Sequence, residues 1–239
     1  MSTNEISEHE HNAVIKAMQK NVDGIILLPN QQDTQSIELL NKRDFPYIII
    51  GRMFHELEAD YVLADDRKGA YLATRHLIEK GHKEILFLNS FSHIYSSVER
   101  LEGYKTAHIE NNLPFKRKYV KTVSTLMGNT EKELKRIFNK PNNYSAIFCY
   151  CDIIAFEAIF TLGKLGYKVP EDIAIASADN INSDIMLPLH ITSYGADRKQ
   201  YAKVCFDKLE EKINGTLASN RTGFTKTILD VTLSVGQTT

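Results

Sequence analysis

The chain has 239 residues, with 29 Lys plus Arg against 30 Asp plus Glu and a net charge of -1. That length suits one large α/β domain or two small ones, and the charge balance excludes the overall basic field that drives nucleic-acid binding. Three cysteines make no disulfide framework and suit a reducing compartment, so a cytoplasmic location is expected, and no apolar run is long enough to span a membrane.

In chain order, Ile6–Met18 carries a helical stripe, with Ser7 and Glu10 spaced as a capping box. VDGIILL (22–28) reads as a buried strand closed by Pro29, Thr34–Lys42 as a short helix, and Pro46–Ile50 as a second buried strand ending at Gly51. Continuous apolar runs of this length, separated by helices, indicate a parallel sheet covered on both faces. Tyr61–Leu63 is extended, Asp66 is placed to cap a helix through Ile78, and Gly81 stops it before the strand Ile85–Leu88. After the polar loop Asn89–Tyr95, Ser96 and Glu99 open a helix with capping-box spacing, as Thr130 and Glu133 do for the helix ending at Phe138. Tyr119–Val123 between them is strand-like.

The most informative stretch is Tyr144–Asn180: a buried strand (Ala146–Tyr150), a turn at Asp152, a helix to Leu165 and a second buried strand (Ile173–Ser177). Each strand ends on a carboxylate, Asp152 and Asp179. Ligands of open parallel sheets bind outside the carboxyl ends of the strands, so both acids are expected to face one crevice. Pro188–Tyr194 reads as an extended crossing. Asp197 then caps a helix with Ala202, Cys205, Phe206, Leu209 and Ile213 on one face, and Thr225–Val235 closes the chain as an alternating strand. Cys149 and Cys151 share a strand face and read as small core residues. The histidines show no metal spacing, and no metal or cofactor is expected.

VDGIILLP (22–29), HLIEKGHKEILFL (76–88), ERLEGY (99–104), AIFCYCDIIAFEA (146–158), GYKVPEDIAIASADN (166–180) and ITSYGADRKQYAKVCFDKL (191–209) together resemble the effector-binding domain of LacI/GalR transcription regulators. The resemblance covers nearly the whole chain, with the segments in the family's order. It implies a periplasmic-binding-protein-like α/β fold: two Rossmann-like subdomains with parallel sheets, joined by crossover strands, with the effector between them. The expected bounds are 1–60 plus 192–214 for an incomplete first subdomain and 61–191 plus 215–239 for the second. It also implies a strand and helix before the segment matching Ser2–Met18, and a DNA-binding headpiece before those. Their absence leads to the expectation of a fragment or a misassigned start, with an open sheet edge exposing apolar groups.

Among candidate ligand-binding residues, Arg100 fits the family's R-x-x-G-[YFW] motif, and its planar fork could hold two ligand oxygens; the alternative is a surface arginine paired with Glu99 or Glu102. Asp179 matches the family's pocket Asp, whose carboxylate accepts from adjacent hydroxyls. Asp152 could contact ligand or serve as a helix cap. Phe148 and Tyr150 share a strand face on which one ring could pack against a ligand, core packing being the commoner fate of Phe148. Arg52, at the end of the strand PYIII, would reach in from the first subdomain. Phe91, His93 and Tyr95 sit in the loop after ILFL, with no motif to fix them. Cys151, Ala196 and the pair Gly51-Arg52 depart from residues common in relatives, so the effector cannot be copied from any of them.

The helix Ile153–Leu165 is apolar nearly all round, which calls for burial within the domain or contact with a second copy. The function implied is the effector-sensing and dimerisation part of a transcriptional regulator, a homodimer that binds a small sugar and meets operator DNA only through the headpiece. The alternatives are a sugar-binding protein of a transport system and, third, a glycosidase using Asp152 and Asp179. Against the enzyme stand the absence of a nucleophile motif, a Gly-rich phosphate loop or a metal cluster.

Overall fold

The computed structural model describes residues 6–181, 189–215 and 224–239. In chain order the elements are α1 (Ser7–Gln19), β1 (Ile25–Leu27), α2 (Gln35–Lys42), β2 (Tyr47–Ile50), β3 (Tyr61–Ala64), α3 (Asp66–Glu79), β4 (Ile85–Asn89), α4 (Tyr95–Glu110) and β5 (Val120–Thr122). They continue as α5 (Asn129–Phe138), β6 (Ala146–Cys149), α6 (Asp152–Lys164), β7 (Ala174–Ala178), β8 (Thr192–Gly195), α7 (Arg198–Ile213), β9 (Lys226–Leu229) and β10 (Thr232–Ser234). Among the described residues no helix is long and apolar enough to cross a membrane.

Two compact units result, Met1–Ala64 with Asp197–Asp230 and Asp65–Ala196 with Val231–Thr239. The first holds a parallel sheet of order β1-β2-β3-β9. Ile48 and Ile49 of β2 are fully buried, as are Ile37 and Leu40 of α2. The buried residues of α7 are Cys205 and Leu209; Phe206, expected on the same buried face, is 61% exposed. β1 is an edge strand, and Ile26 within it and Leu28 just after it lie exposed.

The second unit holds a six-stranded sheet of order β10-β8-β7-β6-β4-β5, parallel except for β10. Every residue of β4, β6 and β7 is buried, which explains why these segments read as unbroken apolar runs. One sheet face packs Leu86, Leu88, Ile147 and Ile175 against Ile154, Ala158 and Leu162 of α6. On the other face Phe87 stacks with Phe148 at 4.7 Å and meets Tyr104 of α4 at 5.2 Å.

The bounds of the units correct the sequence expectation. A strand belongs to the sheet whose ladder it completes. Tyr61–Ala64 pairs with β2 and β9, so it stays in the first unit, while Thr192–Gly195 lies between β7 and β10, inside the second sheet rather than in a crossing. Thr225–Val235 is two strands: β9 joins β3, where Asp60 accepts from Thr225 N at 2.7 Å, and β10 runs antiparallel to β8. Both halves are partly exposed, so the alternation runs through the break without showing it.

Three expected capping boxes do not form. No side chain caps α1, α4 or α5. Glu10 is instead buried and accepts from Asn30 N. Ser96 pairs with Tyr150, and Glu157 of α6 accepts from Gly128 N and Glu131 N at 2.8 and 3.0 Å, covering the start of α5 from outside. Asp197 does cap α7, accepting from Gln200 N at 2.7 Å.

Candidate functional site

In the second unit the chain runs from β4 outward to β5 and returns to the far side of β4 as β6. The strand order therefore reverses between β4 and β6, the place where open α/β sheets bind ligands. Tyr150 follows β6, Asp179 follows β7, and α4 brings Arg100 over from the β4 side.

Arg100 is buried and makes a contact through each of its three nitrogens. Its Nε donates to Asp66 Oδ1 at 2.8 Å, one terminal nitrogen lies 2.8 Å from the same oxygen and 3.2 Å from Asp179 Oδ1, and the other donates to the Tyr150 carbonyl. The guanidinium carbon lies 4.3 Å from the centre of the Tyr150 ring and 5.7 Å from that of Tyr194. The Tyr194 hydroxyl donates to Asp66 Oδ1 at 2.9 Å. Three donors thus converge on one oxygen, an arrangement suited to an ionised carboxylate. Burial pushes the Asp66 pKa up, opposed by the Arg100 charge and the two side-chain hydrogen bonds. Burial disfavours the Arg100 charge, but Asp66, Tyr194 and Asp179 outweigh it and hold its proton firmly.

Asp179 is the member of this cluster that faces solvent, with its side chain 43% exposed against 8% for Arg100. Its backbone is left-handed, φ 92°, and Asn180 follows at φ 44°. Such conformations cost non-glycine residues about 1–3 kcal/mol each and persist only where neighbours over-determine them. Here Asp179 N donates to Tyr194 O at 2.8 Å and Asn180 N to Ser193 Oγ at 2.9 Å.

Asp152 completes that support. It is 0% exposed; Oδ2 accepts from Ile181 N and Oδ1 from Ser193 Oγ, both at 2.7 Å. Neither expected role is seen: Cys151 is the N-cap residue of α6, and both Asp152 oxygens are turned to the Asp179 loop and β8, away from solvent. Burial raises its pKa, and the Ile181 and Ser193 hydrogen bonds pull the other way. The neighbouring Cys151 thiol is pushed up to about 11, first by burial and then by Asp179, so it is neutral near pH 7.

Of the remaining expected residues, Phe148 is fully buried against Phe87 and is core. Tyr150 is 7% exposed, with its hydroxyl 2.7 Å from Ser96 Oγ and its ring under Arg100. Arg52 belongs to the first unit, just after β2, and is half-buried there. Phe91 and His93 stack at 5.7 Å on the exposed loop after β4, while Tyr95 is half-buried and its phenol pushed up to about 12 by burial. The alternative pairing of Arg100 with Glu99 is not formed; Glu99 bonds Arg67 at 3.0 Å.

Asp66 and Tyr194 are the members that sequence reasoning missed. Asp66 was assigned to capping, but Asp65 caps α3, accepting from Lys68 N at 2.9 Å. The doublet Asp65-Asp66 was the available signal, since one cap leaves a second acid without a role. Tyr194 ended a presumed crossing and carried no such signal.

The sequence profile described as "Periplasmic binding proteins and sugar binding domain of LacI family" matches residues 1–231. The HTH-type transcriptional repressor PurR of Aliivibrio fischeri is 28% identical over 198 residues, 82% of this chain and 59% of that protein. The chain thus spans about three-fifths of the length of that curated relative. Among solved structures, a transcriptional regulator CelR–cellobiose complex superposes with a TM-score of 0.85 at 22% identity, covering 98% of this chain and 71% of that one. The transcription regulator CcpA of Lactococcus lactis gives 0.86 at 22% identity, covering 100% and 86%. At that identity the superpositions establish the fold, and the profile match establishes kinship. The chain belongs to the family of periplasmic binding proteins and sugar-binding domains of the LacI family.

Proposed function

We propose that this chain is the effector-sensing and dimerisation portion of a LacI-type transcriptional repressor, and that its second unit binds a small carbohydrate at Asp179, with Arg100, Tyr150 and their buried partners behind it. The observation that carries this is a half-exposed carboxylate held in a left-handed loop at the point where the strand order reverses. The curated relative PurR is a transcriptional repressor, which favours regulation over transport or catalysis. Contact with operator DNA is assigned to a headpiece outside this sequence, in cytoplasm. An effector would act by binding one conformation of the regulator better than another.

The test is a thermal-shift screen of mono- and disaccharides. A ligand at a hundred times its Kd stabilises by about 2.7 kcal/mol, a shift of several degrees for a domain this size. Asp179→Ala is expected to abolish the shift. If every sugar leaves the melting point unmoved, or the variant keeps the full shift, the reading is wrong.

The homodimer is proposed to form through an apolar patch on the second unit. Ile153 and Phe160 of α6 are 54% and 65% exposed and lie on the same helix face as Glu157. Glu157 holds the turn that carries Leu126 and Met127, 71% and 96% exposed. Four large apolar side chains in one area mark a contact surface, and a second copy presents the same apolar surface in return. Sedimentation equilibrium should show a dimer, and Phe160→Glu should weaken it by about thirtyfold or more, the level of a central interface residue. A monomer at high concentration would remove this assignment.

A further inference from the structure

The sheet of the first unit ends on β1, and among the described residues no strand pairs with its outer side. Ile25 N donates to Pro46 O at 3.0 Å, so the peptide groups of Ile25 and Leu27 turn toward β2. Those of Gly24, Ile26 and Leu28 turn outward by the alternation of a strand, each with one donor and one acceptor. The side-chain positions of these three residues share one sheet face. α7 covers that face: a Cβ added at Gly24 would lie 2.7 Å from Leu209 Cδ1 and 3.1 Å from Ile213 Cδ1. One flank of α7 is polar and serves the far strands, with Lys212 bonded to Asp60 at 2.7 Å and Lys208 to Thr225 at 3.2 Å. The other flank carries Phe206 and Ile213, seven residues apart and both exposed, on the β1 side. With Ile26 and Leu28 they make an apolar strip along an unpaired edge. Exposed edges are commonly guarded by charge. In β9, at the opposite edge, Lys226 stands two residues before the exposed Ile228, but 24–28 (GIILL) holds no charged residue.

We propose that this edge is a contact surface for a second copy of the chain, the two β1 strands pairing antiparallel about a two-fold axis at Ile26. A two-fold contact joins the same patch of both copies, so the patch must complement itself, and this one does. With Ile26 opposite Ile26, Gly24 of each copy falls opposite Leu28 of the other, and the outward peptide groups form about six hydrogen bonds. Leu28 of the second copy then lies over Gly24, where no side chain blocks it, and meets Leu209 and Ile213 of the first. Asp23, just before the strand, falls opposite Pro29 rather than another acid. This contact is separate from the sugar site and from the α6 patch assigned to the second unit.

Engineered cysteines in the full chain test the register. The native Cys149, Cys151 and Cys205 are buried, so the unaltered chain should not cross-link under mild oxidation with diamide. In Ile26→Cys the two Cα atoms would stand about 5.5 Å apart, within the span of a disulfide. In Leu28→Cys they would be offset by four residues, about 14 Å. The two positions are comparably exposed, at 42% and 55%, so chance collision would oxidise both alike. The expected result is a covalent dimer from Ile26→Cys, seen on a non-reducing gel and reversed by dithiothreitol, that forms at least tenfold faster than from Leu28→Cys. The same two variants are then made on Phe160→Glu, where the Ile26→Cys cross-link should persist. Equal rates, a faster Leu28→Cys, or no cross-link from either would overturn the proposal. Loss of the Ile26→Cys cross-link on Phe160→Glu would overturn it too, because the copies would then meet only through α6. If the cross-link survives while Phe160→Glu leaves sedimentation unchanged, the β1 contact stands and the α6 assignment falls.

Discussion

Arg100→Met is expected to lower the stability of the chain by about 3–5 kcal/mol, the usual cost of removing one partner from a buried ion pair. The loss comes from the groups left behind. Asp66 would remain buried with only the Tyr194 hydroxyl on the oxygen that Arg100 now occupies, and the Tyr150 carbonyl would lose its guanidinium donor. Since domains hold about 5–15 kcal/mol in total, a change of this size takes a large share of the margin. The pH dependence has a definite sign. Burial already raises the Asp66 pKa, and without the guanidinium to oppose it the folded value moves further above its unfolded value of about 3.9. The folded variant then binds a proton more tightly than the unfolded one, so its stability rises as pH falls through that window. The deficit against the unaltered protein should be largest near pH 8 and shrink toward pH 5. The double variant Asp66→Asn/Arg100→Met should cost less than Arg100→Met alone, because no buried charge is stranded. Urea unfolding followed by circular dichroism measures all three; a loss below about 1 kcal/mol for Arg100→Met would mean the network contributes little.

The same network shows where sequence reasoning succeeds and stops. Buried strands such as Ile85–Leu88 and Ala146–Cys149 were legible because a parallel sheet covered on both faces demands unbroken apolar runs. The carboxyl ends of such strands then pointed to Asp152 and Asp179, both expected to face one crevice. What the sequence could not express is which donors each carboxylate receives. Asp152 and Asp179 look alike as acids after strands, yet one is closed off by Ile181 N and Ser193 Oγ and the other is half-exposed. The difference lies in residues about 30 to 40 positions away. Caps failed for a similar reason. Ser-x-x-Glu spacing is a local signal, and at α4 both members were claimed by tertiary partners, Ser96 by Tyr150 and Glu99 by Arg67. Tyr194 is the clearest case. Its ring fills the space above Gly69, where an added Cβ would sit 2.0 Å from the ring, and its hydroxyl reaches Asp66. Neither fact has a trace in the residues beside it.

Gly103→Ala should show that this site depends on how closely α3 and α4 approach. A Cβ at Gly103 would lie 2.1 Å from Arg67 O, 2.8 Å from Tyr71 N and 2.9 Å from the Ala70 Cβ. Two of these are backbone atoms of α3, four residues apart, so no rotamer change can clear them and the helices must separate. Overpacking of this kind costs about 1–3 kcal/mol and occasionally more. The higher helix propensity of alanine returns only about 1 kcal/mol, so the net effect is a loss, expected at about 2 kcal/mol or above. Gly163, near the end of α6, meets nothing within 4 Å, and the same substitution there should be neutral or stabilising. Opposite signs for one chemical change would assign the effect to contact rather than propensity. The binding consequence is larger than the stability loss alone suggests. Arg100 lies one turn before Gly103 on α4, and Asp66 opens α3, so pushing the helices apart lengthens the Arg100–Asp66 contact directly. Gly103→Ala should therefore lose the sugar-induced thermal shift even where most of the protein remains folded. If it binds sugar with unaltered affinity, the close packing of the two helices serves stability only, and the cluster is less dependent on it than its geometry implies.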